Sequence, residues 1–284
     1  MAPWWDIPIL ISLGLLAGGL AGLLGIGGGL IFAPVLLWLN LPPHQALATS
    51  SFAIVPTALA GTIVHLQSGR LPSRSALAIG LAGFGSAFLF GGLGGLAAGW
   101  VLVAMQTGVY VLLAFTIQEP PQAEVEPDPN AETVTDIDIE KKEKEEKEEI
   151  KVPLCPETKE TSAPLLASVG CIAGWTAGML GLGGGLVLVP LMSGPFSVPI
   201  HQAIRLSTVA VLCSASAASL QFLHEGRGIP WMGLTLGSVA ALAAQWTAKR
   251  LDLFDSLVLV RCLRGLAIVL AIDSSRRAIQ LVLN

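Results

Sequence analysis

One glycine-rich pattern occurs twice in this chain, about 156 residues apart. The first copy, residues 22–34, reads GLLGIGGGLIFAP, and the second, residues 178–190, reads GMLGLGGGLVLVP. The two copies agree at eight of 13 positions and exchange only apolar residues at the others. Because a glycine-broken apolar segment appears once in each half, the pattern favours two internal repeats and a membrane transporter.

The charged residues are segregated, and long stretches of the chain contain none. The 63 residues between Asp6 and Arg70 include no Asp, Glu, Lys or Arg. Hydrophobic residues make up 53% of the 284, which is more than a soluble domain of this size needs. A helix needs about 20 apolar residues to cross a bilayer, and inside lipid every backbone group must be paired internally. Since these runs do not alternate as barrel strands do, we expect an all-α, polytopic transmembrane helical bundle.

The apolar segments indicate four transmembrane elements in each half, or about eight in all. The segments that follow the glycine triplets, residues 30–39 and 186–192, are too short to cross a bilayer alone. We interpret each as the continuation of the preceding helix, so that the first span of each repeat is broken at the glycine-rich motif. The alternative treats the short segments as re-entrant arms, which changes both the number of spans and the relative orientation of the halves.

The middle of the chain, residues 118–162, has a different composition. It carries 15 acidic and 6 basic residues together with several prolines, which predicts an acidic linker, partly disordered and partly helical. The linker separates a first transmembrane repeat, residues 1–117, from a second, residues 163–284. With eight spans, most Lys and Arg residues of the short loops fall on one side. The positive-inside rule then places both termini and the linker in the cytoplasm, which predicts a multi-pass protein of the cell inner membrane.

Three consecutive glycines interrupt a helix, because glycine is a poor helix former and adopts backbone angles that other residues avoid. The helix that starts after such a break presents free N–H groups and the positive end of its dipole, which attract an anion. The candidate substrate-binding glycines are Gly27, Gly28, Gly29, Gly183, Gly184 and Gly185. The residues that we assign to shaping the breaks are Gly25, Pro34, Gly181 and Pro190.

A polar cluster follows each motif at the start of the next span. Its members, also candidates for substrate binding, are Thr49, Ser50 and Ser51 in the first half and Arg205, Ser207 and Thr208 in the second. Hydroxyl groups donate hydrogen bonds to oxyanions, and a cation inside a long apolar stretch is costly without a partner or a function. Two alternatives remain: the hydroxyls bond to the preceding helical turn, and Arg205 extends to the membrane interface.

The sequence has no group of residues typical of a catalytic site, so we expect that the protein is not an enzyme. The glycine motif lies within a hydrophobic run and does not follow a strand, as a dinucleotide-binding loop would. The four cysteines form no CxxC pair, and we predict neither a metal site nor a cofactor. No basic patch suits nucleic acid.

The duplicated G-x-x-G-x-G-G-G-x-x-x-x-P motif, followed in each half by His-Gln-Ala and then Ser or Thr, resembles the TauE/SafE family of sulfite exporter-like permeases. The resemblance implies an inner-membrane protein of about eight helices that moves sulfur-containing or small organic anions. The matching residues are Gly25, Gly27, Gly28, Gly29, Pro34, Thr49 and Ser50 in the first copy and Gly181, Gly183, Gly184, Gly185, Pro190 and Ser207 in the second. The chain departs from the family's pattern around Arg205 and in its longer acidic linker.

These observations together predict a secondary transporter for small anions, with sulfite, an organosulfonate or a related oxyanion as substrate. The expected partners are this anion and the lipid bilayer, and a homodimer is compatible with such a chain. The alternative function is a membrane scaffold or sensor that does not transport and that uses the charged linker to bind a partner.

Overall fold

A computed structural model describes residues 6–24, 27–68, 73–116, 163–193, 198–250 and 256–283. The described residues are helical, as predicted, and their helices belong to one compact unit. The helices are α1 Asp6–Leu24, α2 Gly29–Trp38, α3 Pro43–Gln67, α4 Ser73–Gly94, α5 Gly99–Thr116, α6 Ala163–Leu180, α7 Gly185–Ser193, α8 Ile200–His224, α9 Pro230–Ala248 and α10 Ser256–Leu283. The predicted linker, residues 118–162, lies outside the described residues.

Three of the described helices have the length and composition of membrane spans. Within the described residues, Pro43–Gln67, Ser75–Gly94 and Ile200–His224 are long and apolar enough to cross a membrane. Large apolar side chains, among them Leu81 of α4 and Leu242 of α9, point outward and are exposed. Outward apolar side chains suit a helical protein that is surrounded by lipid.

The helix α1 runs parallel to α9, and the two pack closely. Gly14 lies against Leu236, and Gly22, two turns further along α1, lies against Ala244. No space for a Cβ remains at Gly22, because the backbone of α9 occupies it. Small residues let the helix backbones approach, which supplies packing energy that the hydrophobic effect does not provide in lipid.

The helix α3 has the same direction as α9. Gly233 near the start of α9 lies against Thr49, and Gly237 lies against Ala53 one turn further along both helices. Three helices, α1, α3 and α9, therefore run in parallel.

A second parallel group consists of α4, α6 and α8. Gly170 of α6 lies against Ile79 of α4, and Gly178 lies against Ala87. On another face of α4, Gly80 lies against Cys213 of α8, and the contacts advance together to the ends of both helices.

The two groups run in opposite directions because α3 and α8 are antiparallel. Ala48 near the start of α3 packs in one cluster with Phe222 near the end of α8. At the other end, Gly61 of α3 lies against Thr208 near the start of α8. We call the end of the bundle at which α3 begins the first end, and the end at which α3 finishes the second end.

The two short helices fold back and do not continue the helices before them. Gly29 at the start of α2 lies against Ile54 in the middle of α3, whereas Leu36 packs with Ala46 near the start of α3. The helix α2 thus runs antiparallel to α3, and so to α1. In the second half α7 is antiparallel to α8 in the same way, since its residue Met192 clusters with Ala203. The interpretation of one broken span per half is therefore wrong, and the alternative of re-entrant arms describes α1–α2 and α6–α7.

This reversal also changes the expected orientation of the chain. Gly99 at the start of α5 lies against Pro43 at the first end, and α5 runs from there toward the second end. The helix α10 finishes at the first end, where Asp273 accepts a hydrogen bond from Trp38. The start of α1 and the end of α10 therefore lie at one end of the bundle. The helix ends that border residues 118–162 lie at the other end, which differs from the prediction that all of these helix ends share one side.

Candidate functional site

The two glycine breaks have the same local geometry. Gly28 has a φ of 78° and its carbonyl oxygen accepts hydrogen bonds from the N–H groups of Ile31 and Phe32. Gly184 has a φ of 75° and accepts from the corresponding two residues of α7. A left-handed conformation of this kind favours glycine. It lets the chain reverse directly into the first turn of the next helix. Gly25 lies outside the described residues.

The two breaks lie side by side at the centre of the bundle. Gly27 and Gly183 both pack against the side chains of Ile54 and Val211, which occupy the midpoints of α3 and α8. A Cβ built on Gly29 would lie 2.6 Å from the carbonyl oxygen of Leu182, just before the second break. The structure therefore brings together the two glycine triplets that the sequence separates.

The short helices leave this point in opposite directions. The helix α2 runs from the centre toward the first end, and α7 runs from the centre toward the second end. Each therefore directs its N-terminus, with its first N–H groups and its positive dipole end, toward the middle of the bundle. Two such N-termini beside each other form a positive electrostatic centre without a charged side chain.

Hydroxyl groups on α3 and α8 form hydrogen bonds with the backbone of the second break. Ser50 Oγ donates hydrogen bonds to the carbonyl oxygens of Leu47 at 2.8 Å and Gly181 at 2.9 Å, and so joins the first half of the chain to the second. Ser214 Oγ lies 3.2 Å from the carbonyl oxygen of Gly183, to which it donates. The backbone of the break is thus held from both sides.

The other predicted hydroxyl groups form hydrogen bonds with backbone groups of α3, α8 and the start of α9. Ser51 Oγ donates to the carbonyl oxygen of Leu47, one turn back in α3, and Thr208 Oγ1 donates in the same way in α8. Ser207 Oγ also donates to the preceding turn of α8. Thr49 Oγ1 instead accepts the N–H of Ile229 at 3.0 Å and caps the start of α9. Each of these hydroxyl oxygens keeps a lone pair or a rotatable hydrogen that a ligand could use.

Arg205 is buried in the first turn and a half of α8, with 6% of the residue exposed. It precedes Val211 by six residues, which corresponds to about 9 Å along the helix axis. The residue therefore lies between the breaks and the second end, and its burial does not fit a side chain that extends into solvent.

The structure adds buried polar residues that the sequence analysis did not single out, among them Ser214 at the second break and four others. Gln106 and Tyr110 lie on α5, and the Tyr110 hydroxyl donates to the carbonyl oxygen of Leu30, the second residue of α2. Thr62 of α3 and Ser219 of α8 bury hydroxyl oxygens for which the described residues offer no hydrogen-bond partner. The available signal was a polar pair four residues apart in an otherwise apolar helix, which includes the chain's single tyrosine.

Two other features do not contribute to this site. A groove of about 450 Å³ lies between α4 and α6, is lined mainly by apolar side chains such as Phe90 and Trp175, and includes no residue of either break. In the part of the chain that the structure describes, no group of three or more His, Cys, Asp or Glu residues could hold a metal ion.

The sequence is similar to those of several known membrane proteins. The sequence model of the family described as sulfite exporter TauE/SafE matches residues 10–274. A probable membrane transporter protein of Bacillus subtilis, YunE, is 24% identical over 251 residues, which cover 86% of each chain. A probable membrane transporter protein of Xylella fastidiosa is 28% identical over 209 residues, covering 72% of this chain and 69% of its own. Sulfite exporter TauE/SafE family protein 3 of Arabidopsis thaliana is 36% identical over 66 residues, covering 23% of this chain and 14% of its own. No solved structure matches the chain.

Proposed function

Because this chain belongs to the TauE/SafE family and is a membrane transporter, we propose that it carries a small oxyanion, such as sulfite or an organosulfonate, through the centre of its helical bundle. The observation that carries the proposal is the meeting of two helix N-termini, those of α2 and α7, where Gly27 and Gly183 share the side chains of Ile54 and Val211. N–H groups and positive dipole ends that converge on one point bind negative charge.

In the proposed site, backbone N–H groups bind the anion, and side chains supply additional hydrogen-bond donors. The N–H groups that follow Gly28 and Gly184 hold the anion, and the glycines let it approach because no Cβ intervenes. Ser50 fixes the second break, and the hydroxyls of the polar clusters supply further donors. The full set of proposed substrate-binding residues is Gly27, Gly28, Gly29, Thr49, Ser50, Ser51, Gly183, Gly184, Gly185, Arg205, Ser207 and Thr208.

Arg205 attracts the anion from the second end. Arg205 is buried, and its backbone position lies about 9 Å from that of Val211 along the α8 axis, on the side toward which α7 also runs. A cation at this position raises the local concentration of anions and lowers the cost of moving one into a region of low dielectric.

The arrangement suggests two inverted repeats. Helices α1–α5 alternate in direction, and α6–α10 repeat the same order with every direction reversed, because α3 and α8 are antiparallel. We propose six full spans and two helical hairpins, α1–α2 and α6–α7, whose tips meet at the substrate. Transporters with inverted repeats expose a fixed central site to each side in turn by moving one repeat against the other. Thr62 lies toward the second end and Ser219 toward the first, so each offers a buried hydroxyl along one of the two routes.

The charge distribution orients this bundle in the membrane. Arg74, Lys249 and Arg250 lie in helices or turns at the second end, whereas the first end has Arg227, Arg276 and Arg277, two of them near the chain's end. The helix ends that border residues 118–162 are at the second end, and this segment contains six lysines. We therefore propose that residues 118–162 face the cytoplasm and that both termini face the opposite compartment of an inner membrane. A reporter enzyme inserted in residues 118–162 and a second one fused after Asn284 should report opposite compartments, and the same compartment for both would refute the inverted arrangement.

Uptake into proteoliposomes tests the transport proposal directly. The purified protein should move at least one labelled oxyanion from a panel of sulfite, sulfate, methanesulfonate and thiosulfate. Gly28→Leu should abolish that flux without preventing membrane insertion, because a leucine cannot adopt the left-handed conformation at low cost. Gly85→Leu is the matched control, since nothing lies within 4 Å of a Cβ at that position. Equal flux in both variants would remove the breaks from the mechanism.

A further inference from the structure

A chain of hydrogen bonds leads from the first break into α5. Gln106 Nε2 donates to the Tyr110 hydroxyl oxygen at 2.7 Å, and the Tyr110 hydroxyl donates to the carbonyl oxygen of Leu30 at 3.4 Å. Gln106 and Tyr110 are both 0% exposed. The Gln106 side-chain amide is thus two hydrogen bonds away from the N-terminal turn of α2.

Pro34 determines the direction of these hydrogen bonds. In a regular helix the Leu30 carbonyl oxygen would accept the N–H of the residue four positions later, but that residue is Pro34, which has no N–H. The carbonyl oxygen can only accept, so the Tyr110 hydroxyl must donate to it. The Tyr110 oxygen then needs a donor in turn, and the NH₂ group of Gln106 supplies it.

Because the NH₂ group of Gln106 donates to Tyr110, the amide oxygen of Gln106 takes no part in these hydrogen bonds. Gln106 Oε1 is buried, and the described residues offer it no hydrogen-bond partner. Leaving a buried acceptor unsatisfied destabilises the folded protein, and such groups usually have a ligand or a function. The group that completes this site must be a hydrogen-bond donor, because Oε1 accepts only.

The second half of the chain lacks this feature. The offset of 157 residues that relates Ile54 of α3 to Val211 of α8 places Leu263 and Ala267 of α10 at the positions of Gln106 and Tyr110. Both are buried and apolar. The two breaks therefore have similar backbone geometry but differ in one acceptor. Gln106 Oε1 is linked to the first break through Tyr110, and the equivalent positions at the second break have no such acceptor.

We propose that Gln106 is a specificity-determining residue that selects an oxyanion carrying one O–H group, such as hydrogen sulfite. This inference rests on the proposed function. The charged oxygens of the anion take the N–H groups of α2 and α7, and its O–H donates to Gln106 Oε1. A dianion has no proton to donate and would bring acceptor oxygens against Oε1, which is repulsive. An alkylsulfonate has the same charge as hydrogen sulfite, but its sulfur carries an alkyl group and three unprotonated oxygens, so it has no O–H to donate.

Transport of sulfite and methanesulfonate, which share the charge and differ in the O–H group, tests the proposal. Proteoliposomes are assayed at an acidic pH at which sulfite is mostly singly protonated, and KM is measured for each substrate. The wild type should prefer sulfite. Gln106→Leu should reduce the preference for sulfite over methanesulfonate by about tenfold, as the loss of one buried hydrogen bond predicts. The control is Thr107→Val, because the Thr107 hydroxyl bonds only to Val103 of its own helix among the described contacts. It should keep the wild-type ratio.

The outcomes separate three explanations. An unchanged ratio of the two KM values in Gln106→Leu overturns the assignment of Gln106. Equal losses for both substrates also overturn it, since they show that the amide only supports the structure, for example through a buried water molecule. If the wild type moves neither anion, the assignment of Gln106 is overturned, and if it also moves neither sulfate nor thiosulfate, the proposed function itself fails.

Discussion

Gly184 is the position at which one added methyl group tests the second break most directly. It has a φ of 75°, and its carbonyl oxygen accepts the first two hydrogen bonds of α7. A Cβ built there would lie 2.8 Å from the carbonyl carbon of Ala173 and 2.9 Å from its Cα. Both are backbone atoms of α6, so no side-chain rotation can relieve the overlap. Gly184→Ala must therefore displace the break itself.

Two costs combine in this variant. An alanine in the left-handed conformation costs about 1–2 kcal/mol, and an overlap in a packed interior costs about 1–3 kcal/mol. The total of about 3 kcal/mol is large enough to shift the first N–H groups of α7 away from the substrate. We expect the rate of oxyanion uptake to fall at least tenfold and the melting temperature in detergent to decrease.

Gly226, in the turn between α8 and α9, provides the matched control. It has a φ of 65°, and nothing lies within 4 Å of a Cβ built on it. Gly226→Ala therefore carries the conformational cost without the overlap and away from the breaks, so the variant should lose about 1–2 kcal/mol of stability and keep its uptake rate. If Gly184→Ala transports as fast as Gly226→Ala, then the position of the α7 amides does not govern transport.

Three further predictions follow from the same structure. Arg205→Gln should raise the KM of the transported oxyanion about tenfold, because a buried cation is lost, whereas Arg205→Lys should keep most of the affinity; equal KM values in both variants would argue against a charge effect. Thr57→Val should lower the free energy of unfolding by about 1 kcal/mol with little change in flux, since the Thr57 hydroxyl donates to the carbonyl oxygens of Ala53 and, at 3.3 Å, Gly237, and so joins α3 to α9; chemical denaturation and uptake together check it. Deletion of residues 118–162, with a flexible spacer in their place, should leave uptake intact, and a loss of flux would show that this segment takes part in transport.

Much of the site followed from local chemistry. The triplets at Gly27 and Gly183 predicted interrupted helices, because three glycines in an apolar run oppose a continuous helix wherever they occur. For Arg205, which stands alone in a stretch without other charges, the sequence left two alternatives open: a functional cation and a side chain that extends to the membrane interface. The structure interrupts the helices at both triplets and buries Arg205.

The direction of the chain after each break did not follow from the sequence. A continued helix and a folded-back helix use the same apolar residues, and the difference depends on the left-handed angles at Gly28 and Gly184. It also depends on which neighbour buries the short helix. The helix α2 packs on the first half of α3, and this contact, between residues distant in sequence, decides the reversal. The inverted arrangement that we propose depends on this reversal.

The sequence by itself therefore determined the local features of this protein: apolar helices, two glycine breaks, a polar cluster after each break and membership of a transporter family. These features depend on composition and on short-range backbone preferences, both of which can be read from a single sequence. Only the tertiary structure decided that the two breaks meet between Ile54 and Val211 and that Gln106 and Tyr110 join the first of them. Such contacts form when separate helices bury their faces together, and no local pattern records which faces those are.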